Sequence, residues 1–148
     1  MKKELVKNWM IRDVITINPD TTLPEADRLM VEKRIRRLPV VKNGHLVGIV
    51  TRNNLRDAAP SEAISINIHE LHFLISRLTV ARVMTVDPVT ISPQATIDQA
   101  VALMHKNRFS GLPVINEKGE LVGIITESDI FRLLAQKWSQ AEGSAEIE

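Results

Sequence analysis

The chain repeats itself, and the repeat constrains its fold more than any other feature. The segment Met10 to Pro19 returns 74 positions later as Met84 to Pro93. The register then holds through Thr22/Thr96, Ala26/Ala100, Leu29-Met30/Leu103-Met104, Arg34/Arg108 and Leu38-Pro39-Val40/Leu112-Pro113-Val114. One residue is inserted in the second copy in the stretch matching Val41 to Gly44. Beyond it, Gly44 to Thr51 runs parallel to Gly119 to Thr126. A unit repeated at fixed spacing is one supersecondary module, so the period decides the architecture before any local reading does. A duplicated unit of about 50 residues implies two similar lobes in a pseudo-two-fold relation, and hence two similar clefts.

Each copy reads as strand, helix, strand, strand, helix. Val14 to Ile17 and Val89 to Ile91 are short β-branched runs that end at Pro19 and Pro93, as strands entering turns do. Thr22 with Glu25, and Thr96 with Gln99, carry the capping-box signature of a helix start. Leu23, Ala26, Leu29 and Met30 then share one face of the first helix. Ile97, Ala100, Val101, Leu103 and Met104 do so in the second. Leu38 to Val41 and Leu112 to Ile115 are apolar strands, joined through Lys42-Asn43-Gly44 or Asn116 to Gly119 to the strands Leu46 to Val50 and Leu121 to Ile125. Asn-Gly between apolar runs is a strong hairpin signal.

The final helix of each copy starts at Thr51 or Thr126, and Ile130, Phe131, Leu134 and Trp138 recur in the second at helical spacing. Between the copies, Arg56 to Ala63 reads as a small, polar connector. A helix with Asn67 as cap and an apolar stripe of Leu71, Leu74, Ile75 and Leu78 follows it. The expected spans are 8–58 and 81–137 for the repeats, 59–80 for the connector and its helix, and 138–148 for a disordered acidic tail.

Composition removes several function classes. With 19 basic against 18 acidic residues, no global charge draws the chain to nucleic acid or an acidic membrane, and neither partner is expected. The absence of cysteine leaves no disulfide, thiol nucleophile or thiolate metal site. The start, Met1 to Leu5, lacks an apolar stretch long enough for a signal peptide. No run approaches the roughly 18 apolar residues a membrane span needs, so a soluble, cytoplasmic protein is expected. His69 and His72 stand three apart where a zinc-protease helix needs four, so no metal site is assigned. No nucleophile elbow is present, and Gly44 to Gly48 lies in a hairpin rather than a phosphate loop. No catalytic residue and no required cofactor are therefore expected.

With both copies laid out, the sequence resembles the CBS (cystathionine-β-synthase) domain family in its tandem arrangement, the Bateman module. The resemblance rests on Val83-Met84-Thr85 with Val89-Thr90-Ile91, on the two Leu-Pro-Val strands, on Gly48 to Thr51 and on Gly123 to Asp129, and it covers about Trp9 to Leu134. The Arg56 to Ser61 connector and the helix after it also resemble the amino-terminal half of acetoin-utilisation accessory proteins. The implied fold class is α/β (α+β): two pseudo-symmetric β-α-β-β-α repeats packed as a tandem pair. The implied function is regulatory, with adenine nucleotides (AMP, ADP, ATP) or S-adenosylmethionine bound in clefts between the repeats. The output would pass to an effector protein, and family members commonly pair into homodimers. The alternative reading is a ligand-independent dimerisation or interaction module with vestigial clefts.

By this resemblance the stronger, second-repeat cleft comprises Thr126, Asp129, Thr85, Val86, Asp87, Val89, Ser110, Gly111 and Pro113. If Thr126 caps its helix, unpaired backbone N–H groups there suit a phosphate, and Asp129 can accept from both ribose hydroxyls. Thr with Asp three positions on is also a capping arrangement that needs no ligand. The small residues Ser110 and Gly111 would let a ligand approach the backbone. The weaker, first-repeat cleft comprises Thr51, Asn54, Arg36, Arg37 and Val14. Its neutral Asn54 stands where the aspartate belongs, which weakens ribose binding by about 1 kcal/mol or more. The basic run Lys33 to Arg37 could hold polyphosphate or be a solvated helix end. Leu71, Leu74, Ile75, Phe131, Leu134 and Trp138 exceed what two small repeats need, and are expected at a homodimer surface.

Overall fold

Proline placement dictates where the sheets stop. In the computed structural model, which describes residues 3–57 and 68–147, each repeat is built on an antiparallel hairpin covered by a helix. The elements run α1 (Leu23–Lys33), β1 (Arg37–Lys42), β2 (His45–Thr51), α2 (Arg52–Asp57), α3 (Ile68–Arg77), β3 (Thr85–Val86), α4 (Ile97–Asn107), β4 (Gly111–Ile115), β5 (Leu121–Thr126) and α5 (Glu127–Ile147), with 3-10 turns at Val6–Asn8 and Val80–Arg82. The expected first strand of each copy contracts to one parallel bridge, Ile17 to Val40 and Ile91 to Val114. Ile17 donates to the Pro39 carbonyl at 3.1 Å and accepts from Val41 at 2.8 Å; Ile91 does the same with Pro113 and Ile115 at 3.0 Å each. The neighbouring rungs would need N–H donors at Pro39 and Pro19, or at Pro113 and Pro93, and proline has none.

The hairpins form as their turns require. Asn43 and Gly44 both take positive φ (53° and 81°), the conformation of a tight two-residue turn, so Lys42 faces His45. The longer second turn is organised by Asn116, whose Oδ1 accepts from the backbone of Lys118 and Glu120 at 3.0 Å each. Thr22 accepts from the Glu25 amide at 3.4 Å, and Thr96 with Gln99 closes a reciprocal capping box. Both helices end on an arginine in the left-handed region, Arg34 and Arg108, a position that usually favours glycine.

The chain forms two compact units, Ile15–Pro88 and Met1–Val14 with Val89–Glu148. In the first, Ile17, Leu23, Ala26, Met30, Leu38, Val40, Val50 and Val80 make the core. In the second it is Val6, Met10, Ile91, Ile97, Ala100, Met104, Leu112, Val114, Ile125 and Leu133. Each hairpin is completed by the segment that opens the other repeat. Thr85–Val86 pairs with β2 at Ile49 and Gly48, and Ile11 exchanges two 2.9 Å backbone bonds with Ile124. The docking is equivalent down to single bonds: Leu23 to Leu78 matches Ile97 to Glu4, and Val80 to Thr21 matches Val6 to Ala95. Two glycines make room for it. A Cβ on Gly48 would lie 2.6 Å from Met84 Sδ, and one on Gly123 would lie 2.5 Å from Met10 Sδ.

Three expectations need correction. Helix α5 continues to Ile147 through the stretch expected to be a disordered tail, because Ala, Gln and Glu there are good helix formers. Leu134, expected at a homodimer surface, instead packs with Ile130 and Leu133 against the core; Phe131 and Trp138 are exposed. Val101 of α4 is likewise exposed. The connector beyond Asp57, the Asn67 cap and the side chains of His69, Leu71 and His72 lie outside the described residues. Among the described residues, no helix is long and apolar enough to cross a membrane.

Candidate functional site

The strand β5 delivers the chain straight into α5, so Thr126 is both the last strand residue and the helix cap. Opposite it in the hairpin lies Gly111, and the Ser110 carbonyl accepts from the Glu127 amide at 3.0 Å. One of the N–H groups expected to await a phosphate is therefore already engaged. Asp129, three residues on, folds back toward the cap. Its Oδ2 accepts from the Thr126 amide at 2.8 Å and from the Thr126 hydroxyl at 3.1 Å. Burial follows: Asp129 is 4% exposed, the one buried charged or polar residue among those described.

A buried carboxylate needs a counter-charge or a full set of donors. Arg132, one turn further along α5, supplies the charge, its Nη2 reaching Asp129 Oδ1 at 3.1 Å. The same nitrogen donates to the Trp9 carbonyl at 3.0 Å, and the guanidinium stands 5.1 Å from the centre of the Trp9 ring. Oδ2 thus has two donors and Oδ1 one. A carboxylate oxygen with spare acceptor capacity is suited to a hydroxyl donor. The sequence reading missed Arg132 and Trp9. The Asp129/Arg132 spacing of three was the available signal for one of them, and nothing local pointed to the other.

The equivalent motif in the other unit is a cap of the same geometry without the charge. Asn54 Oδ1 accepts from the Thr51 amide and hydroxyl at 2.9 Å each, and the Asn54 amide donates to Thr51 Oγ1 at 3.2 Å. The residue one turn on is Asp57, exposed, where Arg132 stands in the second copy. Capping therefore does not need the aspartate; the amide serves it equally well.

The compact units regroup the expected site residues. Thr126, Asp129, Ser110, Gly111, Pro113, Val89 and Val14 belong to one unit; Thr51, Asn54, Arg36, Arg37, Thr85, Val86 and Asp87 belong to the other. Pro113 is fully buried, with its carbonyl bonded to Ile91, and Val89 packs against the core. Val14 is half-buried, its amide bonded to the Arg12 carbonyl. Thr85 and Val86 are exposed on β3, and Asp87 follows in the left-handed region at φ 47°. Arg36 is exposed, with its carbonyl accepting from the Arg52 amide at 3.2 Å; Arg37 is half-buried in β1.

Comparison with known proteins gives a coherent set of relatives. The family model described as "CBS domain" matches residues 6–61 and 80–136. A CBS domain-containing protein of Dictyostelium discoideum is 39% identical over 133 residues, covering 89% of this chain and 92% of that one. The inosine-5'-monophosphate dehydrogenase of Korarchaeum cryptofilum is 40% identical over 125 residues, 84% of this chain but 23% of its own length. The chain thus spans about a quarter of the dehydrogenases it matches. Among solved structures, a Vibrio cholerae protein assigned to acetoin utilization (AcuB) aligns with a TM-score of 0.79 at 30% identity, over 96% of this chain and 98% of that one. The CBS domain pair of protein MJ0100, in complex with 5-methylthioadenosine and S-adenosyl-L-methionine, aligns at 0.75 and 28% identity over 92% and 99%. CBSX2 of Arabidopsis thaliana in complex with AMP also aligns at 0.75 and 28%, over 90% and 97%.

Proposed function

This chain belongs to the CBS domain family, which it matches twice in tandem, and on that footing we propose that it is a regulatory module that binds an adenine nucleotide or S-adenosylmethionine and reports occupancy to an effector protein. The observation that carries the reading is Asp129: a buried, arginine-paired carboxylate at the start of α5, with acceptor capacity left on Oδ1. A ribose hydroxyl donating to it gains a charge-assisted bond worth about 1.5–3 kcal/mol. The adenosine compounds held by the MJ0100 pair and by CBSX2 support that ligand class. Thr126 is placed beside the carboxylate to meet the same ligand, and Ser110 and Gly111 offer backbone at close range. The Thr51/Asn54 motif binds more weakly because its acceptor is neutral.

Isothermal titration calorimetry with AMP, ADP, ATP and S-adenosylmethionine tests the reading. One equivalent is expected to bind tightly, with any second equivalent weaker. No heat from any of the four would leave the ligand-independent interaction module standing instead. Association with a second copy is part of the same proposal. It is supported by Phe131 and Trp138, 63% and 65% exposed on α5, and by exposed Phe73 and Leu74 on α3. Apolar patches of this kind mark interaction surfaces.

A further inference from the structure

We propose that Arg132 is a positioning residue that ties the Asp129 carboxylate to the segment Glu4–Ile11, so that a change at the carboxylate is read out in that segment. The ligand half of this proposal rests on the nucleotide reading above; the coupling itself does not.

The connection is continuous and made of directional contacts. Lys137 of α5 stands 3.6 Å from Glu4 Oε1, and Glu4 Oε2 accepts from the Trp9 indole N–H at 2.9 Å. The Trp9 ring faces the Arg132 guanidinium, and the Trp9 carbonyl takes a bond from Arg132 Nη2. That same nitrogen reaches Asp129 Oδ1. One atom therefore serves both the carboxylate and the segment, and it cannot shift toward one without weakening its bond to the other. Oδ2 is saturated by the two Thr126 donors, so a hydroxyl approaching the carboxylate meets Oδ1, the oxygen Arg132 holds. Trp9 and Met10 lie directly before Ile11, whose two bonds to Ile124 pin the segment to β5.

The first repeat shows that this is not a requirement of the fold. There the equivalent positions are Asn54, Asp57 and Val83, so carboxylate, arginine and indole are all lacking. Yet the segment around Val80 docks through the same backbone bonds. The network is an addition to one copy, placed at the copy with the charged site.

The chain has two tryptophans, and Trp138→Phe, which keeps an aromatic side chain on the surface proposed for association, leaves Trp9 as the single indole reporter. In that background, without ligand, Asp129→Asn keeps the cap, as Asn54 demonstrates, but turns an amide N–H₂ toward Arg132 in place of an acceptor. The expected results are a shift in Trp9 emission and about three- to tenfold faster hydrogen exchange at the amides of Val6, Lys7 and Ile11. Arg132→Met should give at least the same changes, and the double variant no more than Arg132→Met alone. Titration with AMP should move Trp9 emission with the midpoint that calorimetry gives, and Arg132→Met should abolish that signal while AMP still binds. Unchanged emission and exchange in Asp129→Asn would overturn the coupling, as would calorimetric AMP binding that leaves Trp9 silent. Additive effects in the double variant would also overturn it. If none of the four adenosine compounds gives heat while the ligand-free variants behave as expected, the ligand reading falls and the coupling stands.

Discussion

Asp129→Ala and Asn54→Ala make a matched pair that separates a helix cap from a ligand site. Each removes the side-chain oxygen that accepts from a threonine amide and hydroxyl, at 2.8 and 3.1 Å in one unit and 2.9 Å twice in the other. Loss of such a cap costs about 1 kcal/mol. Asp129→Ala also strands Arg132, half exposed, which adds about 1 kcal/mol or less. For a chain of this length each kcal/mol lowers Tm by about 2–4 °C. Asn54→Ala should therefore melt about 2–4 °C below the parent, and Asp129→Ala about 4–8 °C below. Affinity should behave differently. Removing a charged acceptor from a ribose hydroxyl loses about 1.5–3 kcal/mol, at least about tenfold in Kd, whereas Asn54→Ala should leave the tight site unchanged. Thermal unfolding by circular dichroism and AMP calorimetry well below both melting points read the two quantities separately. Equal loss of affinity from both substitutions, or wild-type affinity in Asp129→Ala, would refute the assignment of Asp129 to the ligand.

Further substitutions test the packing on which the site depends. Gly123→Ala places a Cβ 2.9 Å from the Ile11 carbonyl as well as against Met10, and should cost about 1–3 kcal/mol and loosen the amino-terminal segment in hydrogen exchange. Gly44→Ala meets nothing within 4 Å and should cost only the roughly 1 kcal/mol of a left-handed alanine, read by the same melts. Leu112→Ala and Leu38→Ala, both fully buried in their respective cores, should each cost about 2–5 kcal/mol in denaturant unfolding. Phe131→Glu should abolish self-association in analytical ultracentrifugation with the far-ultraviolet circular dichroism intact. Leu134, packed against the core, should instead destabilise the fold when made Glu.

The elements that the sequence made legible are those whose cause is local. Asn43-Gly44 announced its turn because two adjacent residues must take positive φ, and Thr96 with Gln99 announced a helix start because both partners of the capping box lie within one turn. The two-fold repeat followed from periodicity, and the family from the resemblance of its motifs, the two Leu-Pro-Val strands with Gly48 to Thr51 and Gly123 to Asp129. Thr126 and Asp129 were legible as a pair, but not which role dominates, because the same spacing serves a cap and a ligand. Leu134 was not legible as a core residue, since an apolar stripe does not say which of its edges meets a core.

Local signals in the chain specified two hairpins, their covering helices, and a charged motif in one copy where the other carries a neutral one. Only tertiary structure decided that a sequence repeat is not a compact unit. Each hairpin takes its last strand or bridge from the opening segment of the other repeat, and Gly48 and Gly123 leave space that a methionine enters. Tertiary structure alone also brought Trp9 to Arg132, 123 residues away in the chain, and so tied the local Asp129–Arg132 pair to the amino-terminal segment. No periodicity records such a contact: backbone pairing and burial place it, and both depend on where the chain returns.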